Sequence, residues 1–394
     1  MQLDNNTYRL RESGSFGRRA LIIGIIGLAL SAVGYFLDAE RFFHSYLTSF
    51  VFWVTIGVGG LFFVMLHHLT SAKWSVVLRR LTENFMITVP VLAVLFLPLI
   101  LGIQDLFHWS HADAVAHDEL LQQKAPYLNT PFFLIRAAIY FGIWILFGRM
   151  LYKVSIAQDS QKDDSLIARM KKLSAPGMLL FALTLTFASF DWLMSLDAHW
   201  YSTIFGVYVF SGSLLAILAI LTLIAIYFRE NDILRETITI EHYHDLGKLM
   251  FAFTVFWAYI AFSQFMLIWY GNIPEETIWY KHRWEDLSWR IVSLIVLFGH
   301  FVVPFLALVT RAAKRNLTML KVTSIWLLLM HWVDLYWIVL PNYGHSVHFS
   351  WMDITTMIGI GGIVLWYFWK ATAAHALIPV NDPKLQASIE FENQ

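Results

Sequence analysis

The sequence predicts an all-α polytopic membrane protein with ten transmembrane helices. Three observations predict it. Hydrophobic residues make up 58% of the 394 and charged residues 14%, whereas an ordinary globular chain carries about 45–50% and about 25%. Mean hydropathy is +0.58. Ten apolar stretches approach the ~20 residues that cross a hydrocarbon core, and Lys and Arg gather on one side of them.

The stretches lie near residues 19–37, 46–67, 84–105, 131–152, 176–196, 201–228, 248–271, 288–311, 317–340 and 350–371. None alternates apolar with polar residues, which excludes transmembrane strands. The first follows Arg18 and Arg19 like a signal peptide, but its apolar run is long, so it reads as a retained helix. With the N-terminus inside, 22 of the 28 Lys and Arg face the cytoplasm, 5 face outward, and Arg136 lies within a span. The positive-inside rule then puts both termini in the cytoplasm. Residues 1–18 form a cytoplasmic segment, 19–371 the membrane domain and 372–394 a cytoplasmic tail, polar after Pro379, that drapes on something or frays. The longest outer loop is 107–129, and the inner segment 153–175 is polar.

Net charge is +0, so no basic surface points to nucleic acid. The chain has no cysteine, which excludes disulfides, iron–sulfur clusters, thiolate zinc and covalently attached c-type haem. In the outer loop, His108, His111 and His117 with Asp113 match no metal-ligand spacing.

Ionisable groups inside spans are expensive and therefore functional candidates. At about 1.5 Å per residue, Arg136 on span four and Asp191 on span five both lie ~7–8 Å below the outer face, on consecutive antiparallel helices. They are expected to form an ion pair, which either pins the two helices or belongs to a site. His331 and Asp334 share one face of span nine. Gln264 and Asp334 sit about 10 Å deep, His331 about 15 Å and His300 about 18 Å, so the four can converge in one cavity. A histidine beside a carboxylate is what proton handling or a quinol site needs. Glu83 opens span three and either feeds protons or caps the helix. Ser189, Ser211, Ser213, Thr254, Tyr259 and Ser263 add hydroxyls that can carry a proton wire or bond back to their helices. His300 and His331 are also the one pair that could hold a b-type haem, the lesser reading because a transmembrane electron path wants two haems.

Three blocks carry a family resemblance: FASFDWLMSLDAHWYSTIFGVYVFSGS at 187–213, YIAFSQFMLIWYGNIPEETIWY at 259–280 and MHWVDLYWIVLP at 330–341. Together they resemble the F subunits of bacterial alternative complex III, within the NrfD-like family of polysulfide-reductase-type membrane subunits, and the resemblance runs along the whole chain. It implies two four-helix bundles, spans two to five (about 46–196) and six to nine (about 201–340), with spans one and ten flanking them. It implies a multi-pass protein of the bacterial inner membrane. The implied partners are a second NrfD-like subunit, an iron–sulfur subunit, c-type cytochrome subunits and a terminal oxidase, all among membrane lipids. Menaquinol or ubiquinol is the implied reductant. The matched positions are Asp191, Asp197 and His199; Gln264, Trp269, Tyr270, Glu275 and Glu276; and His331 and Asp334. Of these, Gln264, Trp269 and Tyr270 are the expected quinone contacts.

The leading expectation is a subunit that binds quinol or moves protons while partners carry electrons. It has no metal and no covalent cofactor of its own. The site is expected at His331, Asp334 and His300, with Asp191 and Arg136. Two other readings stand beside it: an anchor without a site, and a secondary transporter, which Pro90, Pro98 and Pro304 inside helices would suit.

Overall fold

The computed structural model describes residues 2–4, 8–12 and 14–393. Ten helices in it are long and apolar enough to cross a membrane: Phe16–Leu37, Ala39–Thr70, Val76–Leu101, Thr130–Gln158, Asp164–Leu196, Phe205–Glu230, Ile240–Gly271, Leu287–Leu308, Leu317–Asn342 and Trp351–Ala374. They are spans one to ten below. The chain is an all-α multi-pass membrane protein, with one short antiparallel hairpin, Gln2–Asp4 with Arg9–Glu12, before span one.

Several spans are longer than their apolar stretches. Span two begins at Ala39, span three at Val76, span five at Asp164 and span seven at Ile240. Hydropathy sees only the hydrocarbon-facing turns, whereas the caps set where a helix starts. Asp38 accepts from Arg41 N at 2.9 Å, Asp163 from Ser165 N at 2.8 Å and Asn316 from Met319 N at 3.0 Å. The polar inner segment 153–175 is thus mostly the facing ends of spans four and five.

Spans two and six are central. Across their apolar cores 89% of residues are buried, against 28% in spans one, seven and eight. Span two touches spans one, three, four, five, six, nine and ten, and span six touches two, three, five, seven and nine. Spans one and ten both touch span two and pack closely on each other. Small residues allow that contact. A Cβ on Gly362 would fall 2.5 Å from the Gly24 backbone. Gly362→Val is therefore expected to push span one away and cost about 1–3 kcal/mol. The readout is the unfolding midpoint in detergent, and an unchanged midpoint would refute the contact.

Both chain ends lie on one face, where Leu377 N donates to Tyr8 O at 2.9 Å. Through residue 393 the described tail packs on the protein. It runs across the ends of spans three and seven: Arg79 pairs with Asp382 at 2.8 Å, and His242 Nε2 meets Ser388 O at 2.9 Å. Glu83 is neither a free acid nor a helix cap. It holds Arg80 at 2.9 Å and accepts from Ser155 at 2.8 Å, and Arg80 also reaches Asp159.

Candidate functional site

A group of buried ionisable side chains lies where spans two, six, seven, eight and nine meet. Span nine supplies His331 and Asp334, one turn apart, and both are buried. Asp334 is held by two neutral donors. The Tyr208 hydroxyl of span six donates to Oδ1, and the Trp257 indole of span seven donates to Oδ2 at 3.2 Å. No lysine or arginine among the described residues pairs with it. Its nearest basic group is His300 of span eight, whose Nδ1 stands 3.9 Å from Oδ2.

Span eight is locally deformed to place His300. Residues Phe298–Val302 form a π-helical turn directly before Pro304. Proline has no N–H, so the carbonyl four residues earlier, that of His300, loses its α-helical partner. Trp326 of span nine fixes the turn by donating to Gly299 O at 2.7 Å. The His300 ring lies on Trp257 at 4.0 Å between centroids. Neither His300 ring nitrogen has a hydrogen-bond partner, although the residue is fully buried. An unsatisfied buried polar atom costs about 1–3 kcal/mol, so this is a position where packing alone would favour an apolar residue.

His331 is oriented differently. Its Nε2 lies 2.9 Å from Thr55 Oγ1 of span two, and that hydroxyl donates to Phe52 O at 2.7 Å. With the threonine hydrogen committed, Nε2 is the donor and Nδ1 carries the lone pair. The Nδ1 edge faces Gly212 of span six, where a Cβ would come within 3.0 Å of the ring. A larger residue there would displace the histidine. A haem between His300 and His331 would have to break both the Trp257 stack and the Thr55 bond.

Arg136 and Asp191 form the expected pair, a bidentate one. Arg136 Nε to Asp191 Oδ2 is 2.7 Å and Nη2 to Oδ1 is 2.9 Å. Tyr140 adds a bond to Oδ2 at 2.7 Å, and the guanidinium covers the Tyr127 ring at 3.8 Å.

Gln264 makes no hydrogen bond to His331, Asp334 or His300. Gln264 accepts from Ser202 at 2.8 Å and donates to Tyr280 at 3.2 Å. Tyr280 belongs to a helix, Pro274–Glu285, that follows span seven and covers its end. Burial pushes the Tyr280 phenol up to about 12, so it stays a neutral partner. On the same helix Arg283 is buried and donates to the carbonyls of Trp337 and Ile338, closing the end of span nine at 3.0 and 2.9 Å. Trp269 and Tyr270 project outward, 66% and 85% exposed.

Asp197 and His199 line a cleft of about 380 Å³ on the face opposite the termini, with His282 and Glu285 across it. His199 pairs there with Asp118 at 2.6 Å. His111 meets the backbone carbonyl of Gln104 and His117 that of Asp113, each at 2.8 Å. The membrane hydroxyls mostly bond back to their helices: Ser211 to Tyr208 O, Ser189 to Thr186 O and Thr254 to Met250 O. Ser213 instead crosses to Thr55 O at 2.6 Å.

Sequence reading missed Tyr208, Trp257 and Thr55, the neutral partners of the cluster. For Trp257 a signal existed: it lies seven residues before Gln264, on the same face of span seven. Also missed was a buried pair between Arg41 of span two and Asp353 of span ten, at 2.6 Å.

Comparison with known proteins adds no name to this geometry: no family model matches the chain, and no curated protein matches it. The arrangement itself has a clear chemical capacity. A buried carboxyl with two neutral donors can gain and lose a proton without breaking an ion pair. An unpartnered imidazole beside it can take that proton once the 3.9 Å gap shortens to hydrogen-bond reach or one water bridges it.

Proposed function

We propose that this chain is a proton-handling membrane subunit of a respiratory quinol oxidoreductase of the alternative complex III kind. The observation that carries the proton role is the Asp334 carboxyl, buried among Tyr208, Trp257 and His300 with no lysine or arginine paired to it among the described residues. In this reading spans two to five and six to nine are the two bundles, and the flanking pair is spans one and ten. Both termini lie in the cytoplasm of a bacterial cell whose inner membrane holds the complex. The cation-rich face then meets the cytoplasm and the cleft of Asp197 and His199 faces outward.

Quinol oxidation releases two electrons and two protons. Without cysteine this chain carries no iron–sulfur cluster, so the electrons travel through the iron–sulfur and c-type cytochrome partners, which stand beside a second NrfD-like subunit. Of the residues expected at a quinone head group, Gln264 is committed to Ser202 and Tyr280, and Trp269 and Tyr270 face outward. The reading therefore routes no step through a quinone here. Asp334 takes and releases the proton, His300 is its nearest acceptor, and Tyr208 holds the carboxyl toward span six.

The test is isolation of the chain from its native membrane under mild detergent. Expected are co-purifying iron–sulfur and c-haem subunits, with quinol-dependent reduction of a cytochrome c or an oxidase. Isolation of the chain alone, together with solute uptake in proteoliposomes, would replace this reading with a transporter.

A further inference from the structure

Near the face that carries the termini, a cleft of about 350 Å³ opens between the end of span six and the start of span nine. It belongs to neither of the sites described above. Its charged lining is Arg229, Arg235 and Lys321, set against Glu230 and Asp232, so cations outnumber carboxylates by one, and Arg235 Nη1 pairs with Asp232 Oδ1 at 3.0 Å. Thr318 adds a hydroxyl, and Ile226 and Leu317 supply apolar walls.

The loop that closes the cleft is held in an unusual shape. Asp232 and Leu234 both have φ of 56°, in the left-handed region. Such a backbone is costly for a branched, bulky residue such as leucine and persists only where neighbours enforce it. Arg229 enforces it by donating to the carbonyls of Arg235 at 2.9 Å and Ile238 at 3.2 Å. Lys321 reaches across to both oxygens of Glu230, at 2.7 and 3.0 Å, tying span nine to span six.

What lies beneath the cleft decides its ligand. Val322, Ile325 and Leu329 continue from Thr318 and Lys321 along the same face of span nine, by i+4 and i+8 spacing. They are 59%, 53% and 47% exposed. A charged cleft at the end of two spans therefore opens onto an uncovered apolar track running into the membrane. A water-borne anion could use the charges but not the track. An amphiphile with an anionic phosphodiester head and acyl chains uses both.

We infer that this cleft is a binding site for an anionic phospholipid, its phosphate among Arg229, Arg235 and Lys321 and an acyl chain along Val322, Ile325 and Leu329. The inference stands apart from the proton reading and needs only that the chain spans a membrane.

The test uses the full chain in detergent micelles, titrated with phosphatidylglycerol or phosphatidylcholine, with thermal midpoint and lipid retention in native mass spectrometry as readouts. Phosphatidylglycerol is expected to raise the midpoint by about 2–4 °C beyond phosphatidylcholine. The double variant Arg235→Gln with Lys321→Gln is expected to bind it about tenfold more weakly. Glu230→Gln frees Lys321 and removes a repelling charge, so it is expected to bind more tightly. Equal shifts from the two lipids would overturn the site, as would full binding by the double variant or weaker binding by Glu230→Gln. Inorganic phosphate alone reproducing the shift would make it a site for free phosphate and overturn the lipid assignment.

Discussion

Asp334→Asn is expected to lower proton translocation by the assembled complex about 10²–10³-fold while leaving its subunit content unchanged. The substitution keeps the shape of the side chain and removes only its ability to ionise. Its neighbours tolerate the change. Asn can turn its oxygen toward the Trp257 indole, which sits 3.2 Å from Oδ2 in the parent protein. Its amide then faces the Tyr208 hydroxyl, which rotates from donor to acceptor at little cost. The cluster stays packed, but the group that exchanges a proton with His300 is gone. The measurement is quinol-driven acidification or alkalinisation in proteoliposomes, alongside a count of subunits in the purified complex. Parent-level translocation with a full set of subunits would sink the proton role. Loss of subunits with normal turnover in whatever assembles would instead make the cluster a piece of the anchor. His300→Phe probes the same step from the other side. It fills the space over Trp257 without the two unpartnered nitrogens, so it is expected to be at least as stable as the parent and much slower.

The part of this cluster that was legible in sequence was the ionisable part. Charge inside an apolar run is conspicuous, and depth counted along a helix placed Asp334, His331 and His300 within about 8 Å of one another in depth. Helix register does not reveal which neutral residues complete a site. Tyr208 is one of 16 tyrosines and Trp257 one of 17 tryptophans, and most of those pack or face lipid. Depth also misled for Gln264. It lies at the level of Asp334, but the helix Pro274–Glu285 folds back and supplies Tyr280 as its partner. A hydropathy profile shows no such return, because that helix does not cross the membrane. Arg79, Arg80 and Arg41 were hidden for a related reason. Counted as loop charges, they lie on helical turns beyond the apolar core and are buried by carboxylates distant in sequence: Asp382, Asp159 and Asp353. The topology was nonetheless readable, since ten helix-length apolar runs need no partner information.

Arg136→Met is expected to destabilise the protein by about 3–5 kcal/mol, more than Asp191→Asn does, because the two halves of the pair are not equally replaceable. Without Arg136 the Asp191 carboxylate keeps one donor, Tyr140 at 2.7 Å, and remains fully buried. Without the Asp191 charge the guanidinium keeps the Tyr127 carbonyl at 2.8 Å and lies over the Tyr127 and Phe132 rings at 3.8 and 4.4 Å. Cation–π contact and a carbonyl are partial substitutes for a carboxylate, whereas one phenol is a poor substitute for a guanidinium. Combining Arg136→Met with Asp191→Asn should therefore recover part of the loss from Arg136→Met alone, as removing an unpaired buried charge requires. Unfolding midpoints of the three variants in one detergent read this out. Equal losses from the two single changes, or no recovery in the double, would refute the asymmetry. The same variants separate the two clusters by function. A pair that fixes span four to span five leaves proton movement intact in whatever complex survives purification, unlike Asp334→Asn. If Asp191→Asn instead stops proton movement in a fully assembled complex, then Asp191, Tyr140 and Arg136 form a second proton-exchanging group. The path would then run through spans two to five as well as through spans six to nine.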